Sequence, residues 1–151
     1  MRTLESKSDR DSIRARASAL SPSDRRLWGK MSPHQMLCHL CDSYKVGLGE
    51  KSVSMATGFL QQTVIKWIAL HVPANWPKNS PTRPEVQQGI GGTPPADFEK
   101  DRAELLLVID RFSTAAFDPK IEHPFFGPMT REDWLRWGYL HADHHLRQFG
   151  R

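Results

Sequence analysis

The sequence contains no long apolar run, no alternation of apolar and polar residues typical of β-strands, and only two cysteines among its 151 residues. A membrane-spanning helix needs about 18 or more consecutive apolar residues, so none is predicted. No basic segment followed by an apolar one stands at the start, and two cysteines do not make a disulfide framework. We therefore expect a cytoplasmic protein that forms one all-α domain over residues 1–151.

Basic residues exceed acidic ones only within the first 30 residues, although the whole chain carries a formal net charge of +4. This segment holds eight lysines and arginines with four interleaved acids. A basic helix can bind nucleic acid or an anionic surface. Because acids are interleaved and no aromatic side chain stands among the arginines to stack on bases, we interpret the segment as a solvated helix face. Neither nucleic acid nor a membrane is an expected partner.

Capping residues and apolar spacing predict a bundle of helices. Ser32, Pro33 and Gln35 form a capping box with proline in the first turn, and Thr130 with Asp133 begins the last helix in a similar way. The predicted helices cover residues 8–20, 32–48, 56–72, 97–116 and 130–151, with a short helical piece over 21–29. The helix over 56–72 is so apolar that we expect it to be heavily buried.

Two loops join these helices. Residues 73–96 contain six prolines and three glycines, which break any regular period, and a loop of this length is usually a lid or a disordered segment. Both alternatives stay open from the sequence. In the second loop, residues 117–129, the side chains of His123, Phe125 and Phe126 either line the mouth of a site or pack a turn.

Two histidines, His141 and His145, lie four residues apart on the inner face of the last predicted helix. Side chains at this spacing have Cβ atoms roughly 5 to 6 Å apart, so both rings can bind one ion. The alternative is a pair of neutral core histidines with satisfied hydrogen bonds. His39, in the middle of the helix that begins at Ser32, is the candidate third ligand, because bundle sites are assembled from inward residues of facing helices.

Three neutral imidazoles leave at least one coordination position open, as in catalytic metal sites. They suit several divalent ions, of which we favour zinc or nickel and keep iron or manganese as alternatives. A ligating histidine usually donates its other N–H to an acceptor. Candidates for such supporting or catalytic contacts are Asp143, Gln148, His144 and Asp42, although a solvated helix face explains them equally well. His144 is rotated by about 100° from His145, so we expect it to flank the site.

Cys38 and Cys41 stand on either side of His39. A pair spaced in this way can be a redox couple or half of a zinc site. No second pair at zinc-finger spacing follows it, so we expect both cysteines to fill apolar space. His34, in the first turn of the same helix, is expected to be exposed.

Three segments, WGKMSPHQMLCHL, HPFFGPMTREDW and HADHHLRQFG, together resemble the DinB/YfiT-like superfamily of four-helix-bundle metalloenzymes, and within it a bacterial subfamily of unknown function. The resemblance covers nearly the whole chain. It implies an up-down-down-up four-helix bundle, with a short extra helical segment, that holds a divalent metal through His39, His141 and His145. It also implies pairing into a homodimer. The chain departs from an enzyme site in lacking a plain general base beside these histidines, since Asp42 and Asp143 are the only acids nearby in sequence.

The superfamily includes transferases and isomerases that use low-molecular-weight thiols, metal-dependent hydrolases, and members without known activity. If the protein is an enzyme, which the sequence leaves open, we therefore expect a divalent-metal-dependent hydrolase or thiol-dependent transferase that acts on a small molecule. The alternative is a non-catalytic metal- or ligand-binding module of a stress response.

Overall fold

The computed structural model describes residues 1–151 and consists of helices joined by loops, with no strand beyond one isolated bridge between His123 and Gly127. The helices are α1 (Lys7–Ser18), α2 (Pro33–Gly47), α3 (Lys66–His71), α4 (Phe98–Thr114) and α5 (Arg131–Arg147). A π-helical turn, Gln61–Ile65, leads into α3, and a 3₁₀ turn, Pro84–Val86, lies within the long loop. The all-α prediction is confirmed. No helix combines the length and apolarity that crossing a bilayer requires.

The four long helices pack as a bundle. Both α1 and α2 contact α4 and α5, while the short α3 lies against α5. A single cluster of 22 buried apolar residues fills the space between them, and Trp134, Tyr44 and Phe112 are the largest of its fully buried members. This arrangement agrees with the four-helix bundle that the resemblance implies.

The two helices that carry the candidate ligands begin at the predicted capping boxes. The Ser32 hydroxyl accepts from the Gln35 amide at 3.1 Å, and the Gln35 side chain accepts from the Ser32 amide at 2.9 Å. Thr130 and Asp133 exchange the same two bonds, each at 3.1 Å. Each box satisfies two amides that the helix itself leaves unpaired, so the start of α2 and of α5 is fixed by local sequence.

A close approach between α5 and α2 fixes the position of the candidate ligands along the helix axes. The Tyr44 hydroxyl on α2 donates to the Gly138 carbonyl on α5 at 2.8 Å. A Cβ on Gly138 would lie 2.9 Å from both Leu4 and Phe112, so only glycine allows this contact. His141 stands one turn beyond Gly138, and the hydrogen bond therefore fixes its position along α5 relative to α2.

The expectation that residues 56–72 form a heavily buried helix is wrong. The chain has no regular structure over residues 52–58, it is helical from Phe59 to His71, and this helical part has only Leu70 as a buried residue. Phe59 is 80% and Trp67 is 59% exposed. Apolar spacing predicted a helical face here, but the bundle core is already filled by α1, α2, α4 and α5, so this face lies outside it.

The short helical piece predicted over residues 21–29 is also absent. Ser21 and Asp24 form a turn, in which the Ser21 amide donates to the Asp24 carboxylate and the Asp24 amide to the Ser21 carbonyl, both at 3.0 Å. Arg151 pairs with the Asp24 carboxylate at 2.6 Å. Leu27 is 71% exposed. With so little apolar surface to bury, a short helix here does not recover its cost of nucleation.

Candidate metal centre

The structure brings together the three histidines that the sequence singled out, His39 from α2 with His141 and His145 from α5, here called the histidine triad. One nitrogen from each ring lies within 4.8 Å of the others. The ring centroids are 5.3 Å apart for His39 and His141, 4.7 Å for His39 and His145, and 4.6 Å for His141 and His145. The i, i+4 spacing on α5 and the facing position on α2 therefore produce one cluster.

Hydrogen bonds orient two of the three rings. The Nδ1 of His39 lies 2.9 Å from the carbonyl of Val86, and the Nδ1 of His145 lies 3.0 Å from the Gln148 side-chain oxygen. Both partners can only accept, so each Nδ1 carries the proton and each Nε2 keeps a lone pair. This is the arrangement by which proteins orient metal-ligating histidines. The predicted contact of Gln148 with the site is thus present, and Val86 is a partner that the sequence did not indicate.

The third ring completes a donor set that fits a cation. His141 Nε2 lies 3.0 Å from His145 Nε2, which has no proton to donate. His141 Nδ1 is buried without a hydrogen-bond partner, and the ring is instead stacked on Trp137 at 4.8 Å. Two nitrogens that share a tetrahedral zinc lie about 3.3 Å apart. A shift of a few tenths of an ångström therefore lets both lone pairs bind one ion.

Burial keeps the triad in the form that binds metal. Loss of hydration lowers the pKa of His39, and it lowers the pKa of His141 and His145 well below the ordinary histidine value. For His141, the pKa is lowered further because positive charge on the neighbouring rings opposes its protonation. All three rings are therefore neutral at physiological pH, and no proton has to leave before coordination.

Two tryptophan side chains lie beside the rings of His141 and His144. His141 is the only triad residue that is not fully buried. Trp76, from the long loop, lies 6.3 Å from the His141 ring and 6.1 Å from the His144 ring, and Trp28 meets His144 edge-on at 4.7 Å. His144 thus flanks the triad, as its rotation on the helix predicts, and burial lowers its pKa to about 4. Neither tryptophan lies in a segment with helical spacing of apolar residues, so no signal in the sequence indicates that either one lies beside the site.

The two predicted carboxylates lie near the triad but are engaged elsewhere. Asp143 pairs with Arg16 at 2.8 Å and with Arg147 at 3.0 Å. Asp42 pairs with Lys51 at 2.8 Å and accepts two bonds from Thr93, each at 2.7 Å. Neither accepts a hydrogen bond from a triad ring. The structure therefore supplies no free carboxylate base beside the three imidazoles.

The loop residues considered as a possible mouth instead organise a turn. The Nδ1 of His123 accepts from the amides of Phe125 at 3.2 Å and Phe126 at 3.0 Å. Burial lowers the pKa of His123 to about 3, so this ring stays neutral and serves as an acceptor. Of the two alternatives for this loop, the structure shows turn packing.

The cysteines lie on another side of α2. Cys38 and Cys41 are both buried, and burial raises their pKa values to about 12 and about 11. Both are free thiols that line a cavity of about 170 Å³ between α2 and α4. His34, expected to be exposed, is half-buried there and binds Asp101 at 2.6 Å. A wider cleft of about 380 Å³ lies beside Arg25, Arg26 and Phe149, and neither space is lined by a triad ring.

Comparison with known proteins gives one result at the level of the family. A family model described as the DinB superfamily matches residues 7–149, which include α1 to α5 and all three triad histidines. No curated protein and no solved structure matches the chain.

Proposed function

Since the chain belongs to the DinB superfamily, we propose that it is a divalent-metal-dependent enzyme whose ion is held by His39, His141 and His145. The observation that carries this proposal is the convergence of three neutral imidazoles, two of them oriented through Nδ1 so that Nε2 is left to bind. Family membership alone does not assign a reaction, because one fold hosts many functions.

The donor set supports zinc or nickel, with iron as an alternative, whereas manganese, the further alternative, prefers oxygen ligands. All three ligand atoms are imidazole nitrogens, which suit zinc, nickel, copper and iron. Calcium and magnesium prefer oxygen ligands, and the two candidate carboxylates, Asp42 and Asp143, are paired with cationic side chains.

The chemistry supported best is transfer that uses a low-molecular-weight thiol. A bound divalent ion of this kind lowers the pKa of a water or thiol that reaches its open position. The chain offers no free carboxylate base there, since Asp42 and Asp143 are engaged in ion pairs. A thiol with an unperturbed pKa of about 8.5 needs far less assistance to ionise than water at about 15.7. Hydrolysis is the alternative reaction of the same site.

The chain's own groups define how a substrate would meet the triad. Val86 and Gln148 hold two rings by their protonated Nδ1 atoms. Trp76 lies beside His141 and Trp28 beside His144, so the two tryptophans form an apolar border on this side of the triad. Such a border favours small molecules with an apolar or aromatic part next to the reacting group.

Metal content of purified variants tests the proposal. We expect His39→Ala and His145→Ala to remain folded and to lose one equivalent of bound metal relative to the wild type, measured by elemental analysis. His71→Ala is the matched control, because His71 is exposed and stacks only on Trp67. Full retention of metal in both triad variants would overturn the assignment. Activity is then tested with a panel of small thiols and electrophilic substrates, using protein reloaded with zinc or nickel.

A non-catalytic metal- or ligand-binding module is the second candidate. The observation that favours it is the lack of a free carboxylate base beside the triad, since Asp42 and Asp143 are held in ion pairs. This alternative predicts no turnover with any thiol, ester or amide. Metal removal would then act on stability alone, since an ion at a hundred times its dissociation constant contributes about 2.7 kcal/mol.

Pairing into a homodimer and a cytoplasmic location stay predictions. The segment around α3 offers an apolar surface for pairing, formed by five exposed side chains: Phe59, Leu60, Val64, Trp67 and Ile68. A contiguous exposed apolar surface of this kind usually marks an interaction site. We propose a second copy of the chain as its partner.

A further inference from the structure

A second group of metal-ligating side chains lies between α2 and α4, away from the triad. His34 and Cys38 stand four residues apart on α2, and Asp101 comes from the first turns of α4. One ligand atom from each lies within 4.8 Å of the others. Cys38 precedes His39, but adjacent helical residues point about 100° apart, so the thiol faces α4 while the imidazole faces α5.

We propose that His34, Cys38 and Asp101 form a second divalent-cation site, suited to zinc, that joins α2 to α4. The three donors are an imidazole nitrogen, a sulfur and a carboxylate oxygen, each of which zinc binds. This site involves none of the triad residues, and it stands whether or not the triad is catalytic.

The distances are close to those that a tetrahedral ion requires. Cys38 Sγ lies 3.6 Å from Asp101 Oδ2, and a sulfur and an oxygen that share a tetrahedral zinc are about 3.6 Å apart. His34 Nε2 lies 2.6 Å from the same oxygen, where shared coordination needs about 3.4 Å. The hydrogen bond between His34 and Asp101 must therefore lengthen by less than about 1 Å.

The surroundings hold the ligands in place and leave room for an ion. The Ala96 amide donates to Asp101 Oδ2 at 3.0 Å, and His34 packs edge-on against Phe98 at 5.3 Å. The cavity of about 170 Å³ that borders Cys38 and Asp101 exceeds the roughly 10 to 15 Å³ that one water needs by the same measure. Cys41 lines the same cavity one turn further along α2.

An ion at this site would bridge two helices that already pack against each other. His34 and Cys38 belong to the capped first half of α2, and Asp101 follows the Asp97 cap of α4. Because each helix start is fixed locally, the ligands need little rearrangement on binding. Occupancy stabilises the folded state, since the separated ligands of the unfolded chain bind the ion less well.

Cobalt(II) titration of the full chain, kept reduced with a phosphine, distinguishes the two sites. A thiolate-to-cobalt charge-transfer band reports only the second site, because the triad contains no sulfur. We expect the band and two bound equivalents in the wild type. Cys38→Ser should lose the band and keep one equivalent, whereas His39→Ala should keep the band and lose one equivalent.

Two further variants keep the test decisive if Cys38→Ser does not fold. His34→Ala and Asp101→Asn alter half-buried residues at helix starts, and each should weaken the cobalt affinity measured from the band by at least about 10-fold to 100-fold. Absence of the band in the wild type, or its survival at full affinity in Cys38→Ser or in both of the other variants, would overturn the second site. Neither result would alter the proposal for the triad.

Discussion

Replacing Gln148 by leucine removes the acceptor that orients one ring of the histidine triad. The side chain is buried, and its oxygen lies 3.0 Å from His145 Nδ1. Leucine keeps the apolar bulk and cannot accept a hydrogen bond. The His145 ring is then free to carry its proton on Nε2, the atom that must bind the metal.

The size of the effect follows from the role of this contact. Loss of an outer hydrogen-bond partner typically weakens metal affinity 10-fold to 100-fold, which corresponds to about 1.4 to 2.7 kcal/mol. The metal-free protein should also lose about 1 to 3 kcal/mol of its free energy of unfolding, because a buried N–H is left without a partner. Gln148→Glu retains an acceptor and should keep the affinity within about threefold of the wild type.

A competition titration of zinc against a chromophoric chelator measures the affinity. The Cys38→Ser background restricts the count to the triad. Gln87→Leu is the matched control, because the Gln87 side chain is exposed and forms no hydrogen bond. If Gln148→Leu binds zinc as tightly as Gln87→Leu, then the hydrogen bond does not orient the ligand and the assignment of Nε2 as the binding atom is wrong.

The remaining predictions concern acid, packing and association. His123 has a folded-state pKa of about 3, below its unfolded value, so the unfolded chain binds more protons between the two values and acid favours unfolding. Between pH 7.5 and pH 5.5, protonation of this one ring in the unfolded chain should lower the free energy of unfolding of the metal-free protein, measured in urea, by about 1.4 kcal/mol. An unfolding free energy that does not change over this pH range would contradict the prediction. Gly138→Ala should lower the free energy of unfolding, measured by thermal denaturation, by about 1 to 3 kcal/mol, because the added Cβ would meet Leu4 and Phe112. Gly58→Ala is the control and should unfold near the wild-type temperature, because its Cβ would meet only the end of the Gln61 side chain. Trp67→Glu places a charge in the exposed apolar surface and should convert a dimer to a monomer in sedimentation, while an unchanged sedimentation coefficient would place the dimer interface elsewhere.

Local signals explain why the triad could be predicted from the sequence. The capping boxes at Ser32 and Thr130 mark where α2 and α5 begin, and both are formed as predicted. The spacing of His141 and His145 then places both rings on one face. His39 was found by its mid-helix position, and its meeting with the other two depends on the bundle, which the resemblance implied.

Other features depend on contacts that spacing does not reveal. The apolar spacing over residues 56–72 predicts that a helix has an apolar face, but it does not show whether another part of the protein covers that face. The exposure of α3 is therefore not predictable from the spacing. Trp28 and Trp76 lie outside helices, where no period applies. Asp101 approaches His34 and Cys38 only through the packing of α4 on α2, so the cysteines looked like isolated apolar filler.

The carbonyl of Val86 ties the proline-rich connection to the proton of His39. Coupling between two sites is reciprocal. Metal binding that fixes the orientation of the His39 ring therefore also restricts the motion of the loop at Val86. Metal binding should then protect residues 73–96 from proteolysis. Conversely, cleavage of the backbone near Val86 should lower the affinity for the metal. Shortening this connection in an engineered version would therefore alter ligand basicity without changing a single ligand.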